Sequence, residues 1–210
     1  MMRLWQVLCG AALLLSSALV SADPLADLKL FYAEVSSLSG DFEQRLLDED
    51  GDTLERYAGR FWMQRPGRFL WLYDTPYEQQ LGADGETLWH YDVDLRQITM
   101  RDAATSLSGT PAELLGGDLS QLDSYKLTRL SDADGLEWLQ LLPHSDSSDF
   151  EEIRIGMAGG QPAQVLLSDR LGQTTAMILH DLKRNPKIGA ERFSLQVPEG
   201  VTVVDERPGA

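Results

Sequence analysis

From Asp41 onward the chain is built of short stretches in which polar and apolar residues alternate, separated by tight polar turns. Glu152-Ile153-Arg154-Ile155 and Arg192-Phe193-Ser194-Leu195-Gln196-Val197 are clear cases. A period of two places every apolar side chain of an extended strand on one face. The turns are of the kind that reverse a strand: Asp48-Glu49-Asp50-Gly51, Asp84-Gly85, Asp134-Gly135 and Leu171-Gly172. In the first half, strands are predicted over 41–47, 54–65, 68–74, 77–83, 87–92 and 96–100. The second half runs from 125–131 to 174–183, with 192–197 and a tail through Val204 last, for a total of about eleven strands. Every link within a half is short, so consecutive strands become antiparallel neighbours. A sheet of that size with one wet face must curl around its apolar face. The expected fold is mainly β: an unclosed antiparallel β-barrel of about eleven strands, covered by short helices. A barrel that spans a membrane does not fit, because charges interrupt any lipid-facing band.

Helical signals are confined to two places. Over 24–35, Asp23 is a cap, Pro24 suits the first helical position, and Leu25, Leu28, Tyr32 and Val35 fall on one face widened by Phe31. Over 101–123 the strand pattern breaks. Thr110-Pro111-Ala112-Glu113 has the form of a capping box, Leu114 and Leu115 follow, and Gly116-Gly117 ends the helix. Asp118 is positioned to cap a second short helix through Leu122. Helices this short are marginal alone and must lean on other surfaces. Two readings fit: a lid that lets go easily, or an ordinary crossover between two halves of the sheet.

The first residues read as a targeting segment. Arg3 precedes an apolar run from Val7 to Val20, and Val20-Ser21-Ala22 offers a cleavage site before Asp23. The expected organisation is therefore a signal peptide over 1–22 and a single domain over 23–210, exported and soluble after cleavage. The one cysteine, Cys9, lies inside the signal and does not stand at a lipidation position. A mature chain without disulfides depends on its apolar core. The charge is strongly acidic, 33 Asp and Glu against 18 Lys and Arg, with no basic run. That argues against nucleic-acid binding and against lasting contact with an anionic membrane.

Catalytic patterns are missing from the sequence. His90, His144 and His180 lie far apart and form no metal-ligand spacing. There is no G-x-S-x-G elbow. The carboxylates cluster in turns, where they are ordinary turn residues. The expectation is no enzyme activity, no metal and no cofactor.

What stands out is a dense aromatic face. Tyr57, Phe61, Met63 and Arg65 share one side of a strand. Phe69, Trp71 and Tyr73 share one side of the next, and Trp89 and Tyr91 share a side two strands on. Two readings again fit: a plain core of bulky residues, or the wall of an apolar cavity with Arg65 on its rim.

Several stretches taken together resemble a known family. These are Asp41-Phe42-Glu43-Gln44, Gly59-Arg60-Phe61-Trp62, Gln64-Arg65-Pro66-Gly67-Arg68-Phe69-Leu70-Trp71, Pro76, Asp84-Gly85, Leu88-Trp89-x-Tyr91, Thr110-Pro111, and Phe193-x-Leu195-x-Val197-Pro198-x-Gly200-Val201. In this order they resemble the outer-membrane lipoprotein carrier (LolA) family. The resemblance implies a LolA/LolB-like open barrel with a helical lid. It also implies a periplasmic chaperone that shields the acyl chains of lipoproteins released by an inner-membrane ABC transporter and delivers them to an outer-membrane receptor lipoprotein, acting as a monomer. A sensor of lipids or lipoproteins on the same fold is the alternative. By resemblance, Arg65 is the latch that hydrogen-bonds lid carbonyls, and Phe69 touches ligand and partner. The candidate cavity residues are Phe42, Tyr57, Phe61, Met63, Phe69, Trp71, Tyr73, Trp89, Tyr91, Leu114 and Leu115.

Overall fold

The computed structural model describes residues 23–103, 111–117, 119–145 and 148–209. The predicted signal segment, Thr110 of the predicted capping box and Asp118 lie outside the described residues. Helix α1 (Pro24–Glu34) starts as the sequence predicts: the Asp23 carboxylate accepts from the Leu25 N–H at 3.1 Å, and Pro24 occupies the first turn. Its apolar face is buried through Leu28, Phe31 and Tyr32.

The strands form two antiparallel meanders. The first contains β1 (Ser37–Leu47), β2 (Thr53–Gln64), β3 (Arg68–Thr75), β4 (Gln79–Asp84), β5 (Thr87–Asp92) and β6 (Gln97–Asp102). The second contains β7 (Tyr125–Arg129), β8 (Glu137–Pro143), β9 (Phe150–Ala158), β10 (Gln161–Asp169) and β11 (Thr174–Arg184). Pairing of β1 with β11 joins them into one sheet. With β12 (Thr202–Asp205) the order is β12-β6-β5-β4-β3-β2-β1-β11-β10-β9-β8-β7. The two outermost strands do not pair with each other, so the sheet stays open.

The segment between β6 and β7 has its described residues on the concave side, where Leu114, Leu115 and Leu122 join the core. There it forms helix α2 (Pro111–Gly116) and a 3₁₀ turn over Leu119–Ser124.

The end of the chain departs from the sequence expectation. No strand forms over 192–197. Ala190–Phe193 is a 3₁₀ turn, followed by extended backbone outside the ladders. The alternation there reports burial, not pairing: Phe193 is buried, and Leu195 packs on the outer side of the sheet against Trp89, Tyr91 and Ile98. The chain crosses that face and returns as β12, which runs parallel to β6 where an antiparallel neighbour was expected. Arg101 on β6 pairs with Glu206 at 2.7 Å, and Arg207 donates to the Thr87 hydroxyl at 3.1 Å, fastening the tail.

Two cores result. The larger fills the concave side between the sheet and α1, α2 and the 3₁₀ turn at Leu122. The smaller, around Trp89, Tyr91 and Ile98, lies on the opposite side under Leu195 and Val201. Gly82 makes room for it, since a Cβ there would fall 2.4 Å from the Trp89 ring. Gly82→Ala is therefore expected to lower stability by about 1–3 kcal/mol through overpacking. A urea melt would show the midpoint falling, and a melt unchanged from the parent would contradict this packing.

Candidate functional site: an aromatic wall beneath two helices

The β2–β3 hairpin turns at Arg65-Pro66-Gly67, where Gly67 has φ of 68°, a backbone conformation that glycine adopts without steric cost. The turn sets the register, with Gln64 opposite Arg68, Met63 opposite Phe69, Phe61 opposite Trp71 and Gly59 opposite Tyr73. On the other side of β2, Leu38 faces Met63, Phe42 faces Gly59, and Gln44 faces Tyr57. Residues directly opposite share a face. Phe42, Tyr57, Phe61, Met63, Phe69, Trp71 and Tyr73 thus form one continuous concave wall.

Ring geometry locks this wall. Phe61 stacks on Trp71 with centroids 4.7 Å apart, and Phe69 meets Trp71 edge-on at 6.1 Å. Phe42 and Tyr57 both meet Tyr73 edge-on, at 5.1 and 5.8 Å. Such pairs contribute roughly 0.5–1.5 kcal/mol each beyond area burial. Gly59 lets β3 come close: a Cβ there would sit 1.9 Å from the Leu72 carbonyl oxygen. The wall also stays uncharged. Burial pushes the Tyr73 phenol up to about 12. The hydrogen bond that Tyr57 donates to the Glu55 carboxylate pushes its phenol up to about 12 as well.

Leu114 and Leu115 of α2 press on this wall, both buried in the concave core. Trp89 and Tyr91 do not belong to it, contrary to the sequence reading. The register of β3, β4 and β5 puts Trp71 in line with Leu81 and His90, whereas Trp89 lines up with Gly82 and Leu70. Trp89 and Tyr91 therefore face the convex side and build the smaller core. Period-two counting tells which residues of one strand share a face; the phase between strands depends on the links, and the two-residue β4–β5 turn exchanges odd and even positions.

Arg65 sits at the edge of the wall and ties the helices down. Its Nη2 donates to the Leu115 carbonyl of α2 at 2.9 Å. Its Nη1 lies 3.2 Å from the Tyr32 carbonyl and 3.4 Å from that of Phe31, and it also donates to the Val35 carbonyl. These oxygens belong to helix ends, where the last carbonyls lack a donor within the helix; that of Phe31 also accepts from the Val35 N–H at 3.0 Å. The guanidinium also lies over two rings, 4.8 Å from that of Tyr32 and 5.2 Å from that of Phe31. Guanidinium is always charged, donates five N–H groups and stacks on aromatic faces. One side chain thereby joins the β2–β3 corner, the end of α1 and the end of α2.

Sequence reasoning missed part of this site. Phe31 and Tyr32 were visible only as members of an apolar helix face, not as the seat of Arg65. The other half of the concave lining comes from Leu139, Leu141, Ile153, Ile155, Met157, Val165, Leu167, Met177 and Leu179. Its signal was the alternation of β8 to β11, which names a buried face without saying what the face is for. Among the described residues no group of His, Cys, Asp or Glu is arranged to hold a metal ion. Among them, too, no helix is long and apolar enough to cross a membrane.

Comparison with known proteins places this architecture. Residues 33–196 match the model of the family described as outer membrane lipoprotein carrier protein LolA. A relative from Halorhodospira halophila (strain DSM 244 / SL1), named outer-membrane lipoprotein carrier protein, is 37% identical over 207 residues, covering 99% of this chain and 98% of that protein. One of the same name from Bordetella avium (strain 197N) is 40% identical over 195 residues, covering 92% and 93%. Among solved structures, an uncharacterized conserved protein from Thermus thermophilus superposes with a TM-score of 0.56 at 11% identity, covering 87% of this chain and 97% of that one. MucB superposes with a TM-score of 0.51 at 16% identity, covering 86% and 64%. The two structures share the fold; the sequence matches carry the relationship. By these matches the chain belongs to the LolA outer-membrane lipoprotein carrier family.

Proposed function

We propose that this protein is a periplasmic carrier that shields the acyl chains of lipoproteins after their release from the inner membrane and delivers them to the outer membrane. The observation that carries the reading is the latch: Arg65 closes two short helices over a continuous aromatic and aliphatic wall. A plain structural core does not need a charged side chain to hold its cover. The partners would be an ABC transporter of the lipoprotein-releasing type as donor and a receptor lipoprotein as acceptor. The predicted signal over 1–22 supports export.

Energetics favour a latched state for such a task. Burying an acyl chain gains about 0.8 kcal/mol per CH₂, so one long chain gains on the order of 10 kcal/mol. A cavity that stood open to several chains would hold them too tightly to pass on. A closed state that must be opened first weakens apparent binding by the fraction of molecules that are open. Hydrogen bonds to a charged group contribute roughly 1.5–3 kcal/mol. A latch of about 3 kcal/mol lowers apparent affinity on the order of a hundredfold.

Two experiments test this. Spheroplasts incubated with the purified mature protein should release lipoprotein as a soluble one-to-one complex; no complex above the control without protein would count heavily against the carrier reading. Arg65→Leu should raise the open population, bind an acyl probe more tightly and release it on the order of tenfold or more slowly, given loss of at least one charged hydrogen bond. Release kinetics equal to those of the parent would sink the latch.

A further inference from the structure

We propose that Tyr32 is a second positioning residue of the lid, and that the lid parts at the seam between α1 and α2: α2 leaves, while α1 stays docked on Arg65. The proposal rests on reading α2 as a lid. α2 spans only Pro111–Gly116. The last carbonyls of any helix find no donor within it. Here two consecutive ones are taken by donors from different elements. The Tyr32 hydroxyl, on α1, donates to the Leu114 carbonyl. The Arg65 guanidinium, at the β2–β3 corner, donates to the Leu115 carbonyl.

Among the described residues, Arg65 reaches three carbonyls at the end of α1 (Phe31, Tyr32 and Val35) and one on α2. The Tyr32 ring lies under the same guanidinium at 4.8 Å, so the ring belongs to the unit formed by Arg65 and α1. The hydroxyl reaches across from that unit to α2. Tyr32 is therefore divided in its action: its ring holds α1 to Arg65, and its oxygen holds α2 to α1. The side chain is buried, where a hydrogen bond is less weakened by water. A phenylalanine at this position would keep the first contact and lose the second.

Amide hydrogen exchange of the purified protein without cargo separates the two roles. In Tyr32→Phe, exchange in peptides covering 111–116 should rise about fivefold, the effect of losing one hydrogen bond, while peptides covering 24–34 keep the parent's rate. In Tyr32→Leu, which removes the ring too, both segments should exchange faster. If Tyr32→Phe leaves 111–116 unchanged, or accelerates 24–34 equally, the seam is not where the lid parts. Protection of 24–34 at the parent's level in Tyr32→Leu would likewise overturn the division of roles. Since no cargo is present, these results stand apart from the spheroplast assay, whose failure would remove the carrier reading and leave the seam intact.

Discussion

A helix end is a polar object, and two of them stand here over an apolar surface. The carbonyls that close α1 and α2 must be satisfied by something outside their helices. Arg65 supplies donors to both, from a corner fixed by the β2–β3 hairpin. Its guanidinium cannot lose its charge at any physiological pH, so the tie does not respond to proton concentration. It can be undone only by competition, in which another contact offsets what the guanidinium gives. On the proposed reading, an acyl chain would not compete for hydrogen bonds, but it would compete for the same wall. The side chains of Leu114 and Leu115 occupy apolar surface that cargo would take.

This arrangement sets two energies of different kind against each other. Burial of cargo grows with the length of chain buried and has no preferred geometry. The latch is a small, fixed, directional quantity. A carrier built on the first alone would bind and keep. On the proposed reading, the second would let a modest change at the lid alter occupancy strongly. The convex side follows a different logic. There Leu195 and Val201 pack against Trp89 and Tyr91, and Arg192 lies 4.7 Å over the Trp62 ring, so apolar surface is covered by the chain itself. One face of the sheet is closed by covalent connectivity and packing, and the other by a cover that hydrogen bonds hold.

How much of this was legible in the sequence depended on link length. The β2–β3 corner is so short that Phe61, Met63, Phe69 and Trp71 had to share a face, and the aromatic wall could be read directly. The β3–β4 link is also three residues and keeps odd positions aligned with odd, whereas the two-residue β4–β5 turn exchanges odd and even positions. A slip of one flips a strand's whole side-chain set, and so period-two counting puts Trp89 and Tyr91 on the wrong side. Alternation over 192–197 reported that Phe193 and Leu195 point inward, but a segment lying on a sheet alternates much as one lying within it. Arg65 could be placed because a guanidinium beside short helices has an evident use, and the family resemblance named it. The hydroxyl of Tyr32 left no trace, since on a helical wheel it counts as one more apolar position.

The central claim is that cargo and the closed lid exclude each other. Distance measurement by double electron–electron resonance tests it most directly, with one spin label on the exposed face of α1 at Leu30 and another at Gly116, the last residue of α2. Without cargo the account predicts a single short distance. With an acylated lipoprotein bound it predicts a second, longer one whose population follows occupancy. Saturating cargo with the short distance unchanged would contradict it.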